Sequence, residues 1–268
     1  MKILRLAMVQ IKANEDNPEE NKEKIKGFLN HAKKENASIV LFPECSLTGY
    51  APARAEELAL DENSEIIKEI EKTADELGVA VCFGFMEKAK EKGSNGKGFY
   101  IAQELYSNGC KTKYRKTHLG TREHNYFDEG CDFPVNVCED VKIGMQLCWE
   151  SHIPQISGTY RSKGTELLLF PYASGMCEDR CKENWNIHLP ARASDNGCFA
   201  AACNLITDKG GGGMAAWNAR GRIISDYYGR DEKLMICDLG GDLPRDLFAA
   251  GQETMNSISY FDRARDIF

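Results

Sequence analysis

Short apolar runs, each bounded by turn residues, alternate with amphipathic segments along the whole chain, and this alternation constrains the fold more than any other feature. Residues 3–11 (ILRLAMVQI) predict a strand. Residues 18–35 open with Pro18 and an acidic turn, then place Ile25, Phe28, Leu29 and Ala32 at helical spacing, so a helix is expected. SIVLFPE (38–44) reads as a buried strand stopped by Pro43. A helix over 64–77 places Ile66, Ile67, Ile70, Ala74 and Leu77 on one face, and the strand VAVCFGFME (79–87) follows. The polar, glycine-bearing turn KEKGSNGKG leads into FYIAQELY (99–106). Asn108-Gly109 then signals a tight hairpin into KTKYRK (111–116). Further on, strands are expected at 141–148, 165–170 and 198–204, and helices at 153–163 and 179–195. The glycine run Gly210 to Gly213 reads as a flexible loop, two or three strands cover 214–237, and the last thirty residues are mixed and polar. Strands separated by helices, with hairpins interleaved, imply an α/β layered fold with a mixed sheet. No repeat or linker interrupts the pattern, so a single domain over 1–268 is expected.

Composition narrows the function classes. A net charge of −7 argues against a nucleic-acid or acidic-membrane partner. No apolar run reaches the ~18 residues a membrane span needs. The first residues lack the apolar core and cleavage site of a signal peptide. The chain has 11 cysteines, an odd number at irregular spacing with no C-x-x-C. That pattern predicts a reducing cytoplasm with most thiols acting as small buried hydrophobes. Cys177 and Cys181 are the tightest pair but lack partners at zinc-finger spacing, and the histidines form no H-E-x-x-H, so no metal or cofactor is expected. Gly210 to Gly213 is followed by no Lys-Ser/Thr, which sets aside a phosphate loop.

Three reactive side chains stand at or just past the carboxyl end of an expected strand: Glu44 in VLFPECSLTGY, Lys116 in KYRKTHL and Cys148 in GMQLCWESHIP. Open α/β sheets place their sites at those ends. A nucleophilic thiol needs a base, a carboxylate can take its proton, and a fixed ammonium can stabilise an oxyanion. Taken singly, each has a plainer reading: a solvated loop acid, a surface lysine, a core cysteine. A papain-like protease would place its nucleophile near the N-terminus with different neighbours.

The segments LFPECSLTGY, YRKTHL and GMQLCWESHIPQIS closely resemble the three motif regions of the nitrilase superfamily of carbon–nitrogen hydrolases. MVQ (8–10), FPYASG (170–175) and LPARASDNGCFAAACN (189–204) extend the resemblance over nearly the whole chain. It implies Glu44 as base, Lys116 as oxyanion support and Cys148 as nucleophile. A second glutamate of the family corresponds to Glu123 in REHNYFDEG, expected to orient Lys116 or the substrate nitrogen. The implied fold is a four-layer α-β-β-α sandwich with mixed β-sheets. Members usually dimerise, so a homodimer or higher homo-oligomer is expected, with the polar tail from 240 onward packing on the partner.

The implied reaction is hydrolysis of a non-peptide C–N bond, in a small amide or N-carbamoyl amine, through a thioester and with loss of ammonia. Nitrile hydrolysis, a non-catalytic role and acyl transfer to an amine are the alternatives. The arginine pair that grips a carboxylate in carbamoyl-amino-acid hydrolases is replaced here by Ser151 and His152. Trp149, Tyr172 and Glu150 are expected to contact substrate, with Trp185 a weaker candidate. Glu123, Glu150 and Asp128 together could suit an amine-bearing substrate, and His118 and His124 flank the site.

Overall fold

The computed structural model describes residues 3–240. Its first half holds β1 (Leu4–Gln10), α1 (Pro18–Lys34), β2 (Ile39–Leu41), α2 (Ala55–Leu58), α3 (Glu65–Leu77), β3 (Ala80–Lys88), β4 (Phe99–Ser107) and β5 (Cys110–Arg115). The second half holds β6 (Asn136–Cys138), β7 (Val141–Met145), α4 (Pro154–Ser162), β8 (Leu167–Tyr172), α5 (Glu178–Asn196) and β9 (Phe199–Asn204). It ends with β10 (Ile206–Thr207), β11 (Gly210–Gly211), β12 (Met214–Trp217), β13 (Ile223–Tyr227) and β14 (Lys233–Leu239).

The two-residue period of the strands creates the layers. In β1, Leu4, Leu6 and Met8 enter one cluster, while Ala7 and Val9 enter another with Ile25 and Leu29 of α1 and Ile67 and Ile70 of α3. In β8, Leu167 and Leu169 join the cluster of Leu6. Leu168 and Phe170 face Tyr160 of α4 and Trp185 and Leu189 of α5. Helices, sheet, sheet and helices therefore stack as the expected α-β-β-α sandwich. Full burial of each such side chain contributes about 1.5–3 kcal/mol, so the apolar pattern rather than helix propensity fixes the layers.

Both sheets have six strands, ordered β14-β1-β2-β3-β4-β5 and β13-β12-β9-β8-β7-β6. Each has a parallel centre, β1-β2-β3 in one and β7-β8-β9 in the other, flanked by antiparallel strands. Because β5 lies antiparallel to β4 and β4 to β3, β5 ends on the same edge as β2 and β3. The turn at Asn108 and Gly109 has φ of 50° and 76°, which matches the hairpin expected there.

Three expectations change. The strand over 38–44 stops at Leu41, because Pro43 has no N–H to donate and the chain turns from Glu44. The strand over 141–148 stops at Met145, which leaves Cys148 in a 3₁₀ turn, Cys148–His152. The glycine run is not a flexible loop: Gly210 and Gly211 pair with Thr207 and Ile206, and the run is buried. Gly211 has φ +92°, and a Cβ there would lie 2.2 Å from the Leu205 carbonyl oxygen. The family expectation for the tail falls on 241–268, outside the described residues.

Gly211→Ala combines a left-handed backbone with a clash against main chain. A loss of at least about 2 kcal/mol is expected, read as a lower urea midpoint at unchanged slope. A midpoint equal to that of the unsubstituted protein would show that the run tolerates side chains.

Candidate active site

The turn that follows β2 carries Glu44 into the interior. Phe42 N–H closes the ladder on the Cys82 carbonyl at 2.8 Å, and Leu47 N–H and the Gly49 N–H bond to the Gly84 and Cys45 carbonyls at 2.9 and 2.8 Å. This turn lies directly on β3, where a Cβ at position 84 would meet the Cys45 nitrogen at 2.5 Å and the Glu44 Cα at 3.0 Å. Only glycine at 84 allows that approach. Glu44 is 1% exposed.

Lys116 follows β5, and its Nζ bonds Glu44 Oε1 and Glu123 Oε1, each at 2.9 Å. Arg115, one residue earlier, is held by its Nε and Nη2 on the two oxygens of buried Glu87 at 2.7 and 2.8 Å, with its guanidinium 4.2 Å from the Tyr100 ring centre. Glu123 also accepts the Tyr50 hydroxyl at 2.7 Å on Oε1 and the Gly120 N–H at 2.6 Å on Oε2. Burial pulls the Lys116 ammonium down, but Glu44 and Glu123 outweigh it and hold it well above its ordinary value. The lysine is therefore a permanent cation. Glu44 Oε2 is buried without a hydrogen-bond partner.

Cys148 comes from the second sheet. It adopts φ +46°, a conformation that costs a non-glycine residue about 1–3 kcal/mol. Glu150 holds the turn in that shape. Its N–H bonds the Leu147 carbonyl at 3.0 Å, and its Oε2 takes the Leu147 N–H at 2.8 Å. Burial, reinforced by Glu44 and opposed by Lys116 and the Ala173 N–H, pushes the Cys148 thiol up to about 12. The thiol is thus protonated at rest. Burial also raises Glu44, against the pull of Lys116, to about 7. This arrangement pairs a protonated thiol with a carboxylate that titrates near neutrality, beside a fixed ammonium.

The structure brings Glu44, Lys116 and Glu123 into direct contact and places Cys148 within electrostatic reach of all three. It treats the other expected contacts differently. Glu150 is 0% exposed. Its Oε1 accepts the Tyr114 hydroxyl, the Thr117 N–H and hydroxyl, and the His118 N–H at 2.7–3.0 Å. Both its oxygens are therefore occupied by protein donors, and it ties the Cys148 turn to the residues after Lys116. Asp128 is likewise occupied, by the N–H groups of Gly93, Asn95, Lys97 and Gly98 at 2.6–3.1 Å. Tyr172 is buried with its ring 4.9 Å from that of Trp185, and both belong to the helix-side core. The Tyr172 hydroxyl reaches His188 Nε2 at 3.4 Å, beside the 2.9 Å bond between that nitrogen and the Ser151 hydroxyl. Trp149 is 51% exposed, with its ring 5.2 Å from His152. His118 and His124 are exposed.

Sequence reasoning missed Tyr50, although it sits in the same LTGY stretch as the Glu44 motif. Among the described residues no group of three or more His, Cys, Asp or Glu side chains is placed to hold a metal ion, and no helix is long and apolar enough to cross a membrane.

The family model described as carbon-nitrogen hydrolase matches residues 5–243. A 2-oxoglutaramate amidase of Bacillus subtilis is 26% identical over 266 residues, covering 97% of this chain and 97% of that protein. A nitrilase of Pyrococcus abyssi is 29% identical over 280 residues and 99% of each chain. Among solved structures, an amidase from Nesterenkonia sp. superposes with a TM-score of 0.78 at 23% identity, covering 94% of this chain and 96% of that one. That likeness is one of fold. A variant of the same amidase shows covalent addition of the acetamide moiety of fluoroacetamide at its active site cysteine.

The geometry makes a pH prediction. Below the pKa of Glu44, about 7, its carboxyl is protonated and cannot accept a thiol proton; above it, it can. Alkylation of Cys148 by iodoacetamide is expected to rise through that value between about pH 5 and pH 9. Glu44→Gln is expected to remove this rise and leave only the thiol's own ionisation at higher pH. A step near 7 that survives in Glu44→Gln would detach it from Glu44.

Proposed function

Since the chain belongs to the carbon–nitrogen hydrolase family, we propose that it hydrolyses the C–N bond of a small amide or N-carbamoyl amine through a thioester on Cys148, with release of ammonia. The observation that carries this reading is the Lys116 ammonium fixed between Glu44 and Glu123 while Glu44 Oε2 stands without a partner.

Glu44 takes the Sγ proton of Cys148 as sulfur attacks the carbonyl carbon. The C–S bond forms, and the carbonyl electron pair moves to oxygen. Lys116 and the Trp149 backbone N–H hold that oxyanion, and a single such donor is worth about 10²–10³ in rate. When the carbonyl re-forms, the C–N bond breaks and ammonia leaves with the proton from Glu44. Glu44 then takes a proton from water, hydroxide attacks the thioester, the C–S bond breaks and the thiol regains its proton. Glu123 keeps Lys116 aimed throughout. Lys116 cannot share the work of the base, because two carboxylates hold it charged. Catalysis needs no metal or organic cofactor in this scheme.

The choice of an amide rests on the relatives, which include the 2-oxoglutaramate amidase and a citrullinase of Francisella tularensis that is 26% identical over 255 residues, covering 89% of this chain and 86% of that protein. Just past the nucleophile there is no arginine pair to grip a carboxylate. Arg192 of α5 donates from Nε to the Ser151 carbonyl at 2.9 Å. Half-exposed Trp149 is the proposed substrate contact at the rim. The proposal includes a reducing cytoplasm, in keeping with eleven free cysteines, and assembly as a homodimer or higher homo-oligomer.

Ammonia release from a panel of short aliphatic amides, N-carbamoyl amines, N-carbamoyl amino acids and nitriles tests the reading. Turnover of an amide or N-carbamoyl amine is expected, with a loss of at least about 10³-fold in Cys148→Ala. Turnover of nitriles alone would reassign the substrate class. Silence across the panel, with Cys148 inert to alkylation, would overturn the hydrolase reading.

A further inference from the structure

The two carboxylates that share the Lys116 ammonium are not equivalent. Glu44 accepts one bond, from Lys116 at 2.9 Å, and its second oxygen has no partner. Glu123 accepts three: Lys116 at 2.9 Å, the Tyr50 hydroxyl at 2.7 Å and the Gly120 N–H at 2.6 Å. Each donor helps to fix the orientation of the carboxylate that accepts it. Gly120 lies three residues before Glu123 and comes with its turn. Tyr50 comes from the other side of the site, at the end of the turn that carries Glu44, and so straps the two glutamate turns together. Its ring is partly buried against both the inter-sheet core and the helix-side core of the first sheet. Burial, then Glu123 and Glu44, raise the phenol well above its ordinary value, so it is always a donor.

We propose that Tyr50 is a positioning residue of this site: its hydroxyl fastens Glu123 onto Lys116 and thereby leaves Glu44 as the carboxylate that moves the proton. The inference rests on the hydrolase reading above for its catalytic consequence. The titratable groups facing this array come from four places. They are Glu44 and Cys45 after β2, Lys116 after β5, Glu123 in its own turn, and Cys148 and Glu150 in the nucleophile turn. Glu150 acts on Glu44 at a distance only, its oxygens being bonded elsewhere. Of the donors on Glu123, the phenol is the one a side-chain substitution removes without disturbing the lysine or the main chain.

The sign of the effect follows. Without the phenol, only the ammonium and the Gly120 N–H hold Glu123, Lys116 is less firmly aimed, and its pull on ionised Glu44 weakens. The site then reaches its working charge state at higher pH. A lost hydrogen bond to a charged group corresponds to a shift of about one pH unit.

The test uses Tyr50→Phe, Glu123→Gln and the double variant. Cys148 alkylation by iodoacetamide is followed across pH by peptide-resolved mass spectrometry, because Cys110, Cys131 and Cys177 are more exposed than the half-buried Cys148 and react as well. Ammonia release is followed on the best substrate of the panel. Tyr50→Phe keeps the ring and is expected to raise the midpoint of the acid limb by about one unit and to lower kcat about ten-fold with KM within about two-fold. On the Glu123→Gln background the same change is expected to have less than about a two-fold effect, since there is no carboxylate for the phenol to hold. An unshifted midpoint in Tyr50→Phe, or an undiminished effect in the double variant, overturns the inference. Alkylation needs no substrate, so loss of the hydrolase reading leaves this readout intact. Wild-type turnover with an unaltered Tyr50→Phe variant would sink the inference alone.

Discussion

A lysine ammonium buried between two carboxylates is the interaction on which the rest of the site depends. Lys116 is 1% exposed, and a charge at that depth persists only with partners close at hand. Two glutamates around one lysine leave the group with an excess negative charge. Burial is the main cause that raises both Glu44 and Cys148; Glu123 adds to it, and Lys116 opposes it. Burial and this charge arrangement together set two properties: a Cys148 thiol pushed up to about 12, and a Glu44 carboxyl raised to about 7.

The surrounding acids serve this array by fixing backbone. Glu87 holds Arg115, and so the strand end from which Lys116 projects. Glu150 gathers donors from Leu147 on one side and from Thr117 and His118 on the other. Asp128 pins the hairpin of residues 93–98 to the loop that carries Glu123. Each uses its carboxylate oxygens to accept several hydrogen bonds at once. Removing one would also leave several buried N–H groups without partners, which costs more than the bonds themselves.

These roles explain what the sequence could and could not reveal. Glu44, Lys116 and Cys148 were legible because each lies where an apolar run ends, a local signal. The layers were legible for the same reason, since alternation in β1 and β8 is written in consecutive residues. Glu150 and Asp128 read as solvated or substrate-facing loop acids because their partners lie about thirty residues away and meet them only in the folded chain. Tyr172 read as a pocket residue because the side of the sheet its ring would face depends on where β8 ends. The glycine run read as a flexible loop because polypeptide from positions 205 and 229, which packs against it, is invisible to local pattern. Tyr50 carried no signal apart from its neighbours in the Glu44 motif.

The architecture also explains why such a site needs two sheets. Glu44 and Lys116 leave the first sheet, whereas Cys148 and the Ala173 N–H leave the second. Among the described residues no element joins Cys148 to Glu44 directly. Their separation is set by the core between the sheets, where Cys45, next to Glu44, and Leu147, next to Cys148, are both fully buried. Glu150 reinforces that separation with bonds to both halves. Misplacement of a reacting group by about 1 Å can cost about 10²-fold in rate. A close-packed interior resists such shifts because small changes in volume are felt throughout it. The inter-sheet core thus sets the site as directly as the polar groups do, by fixing the Cys148 turn of one sheet relative to the Glu44 turn of the other.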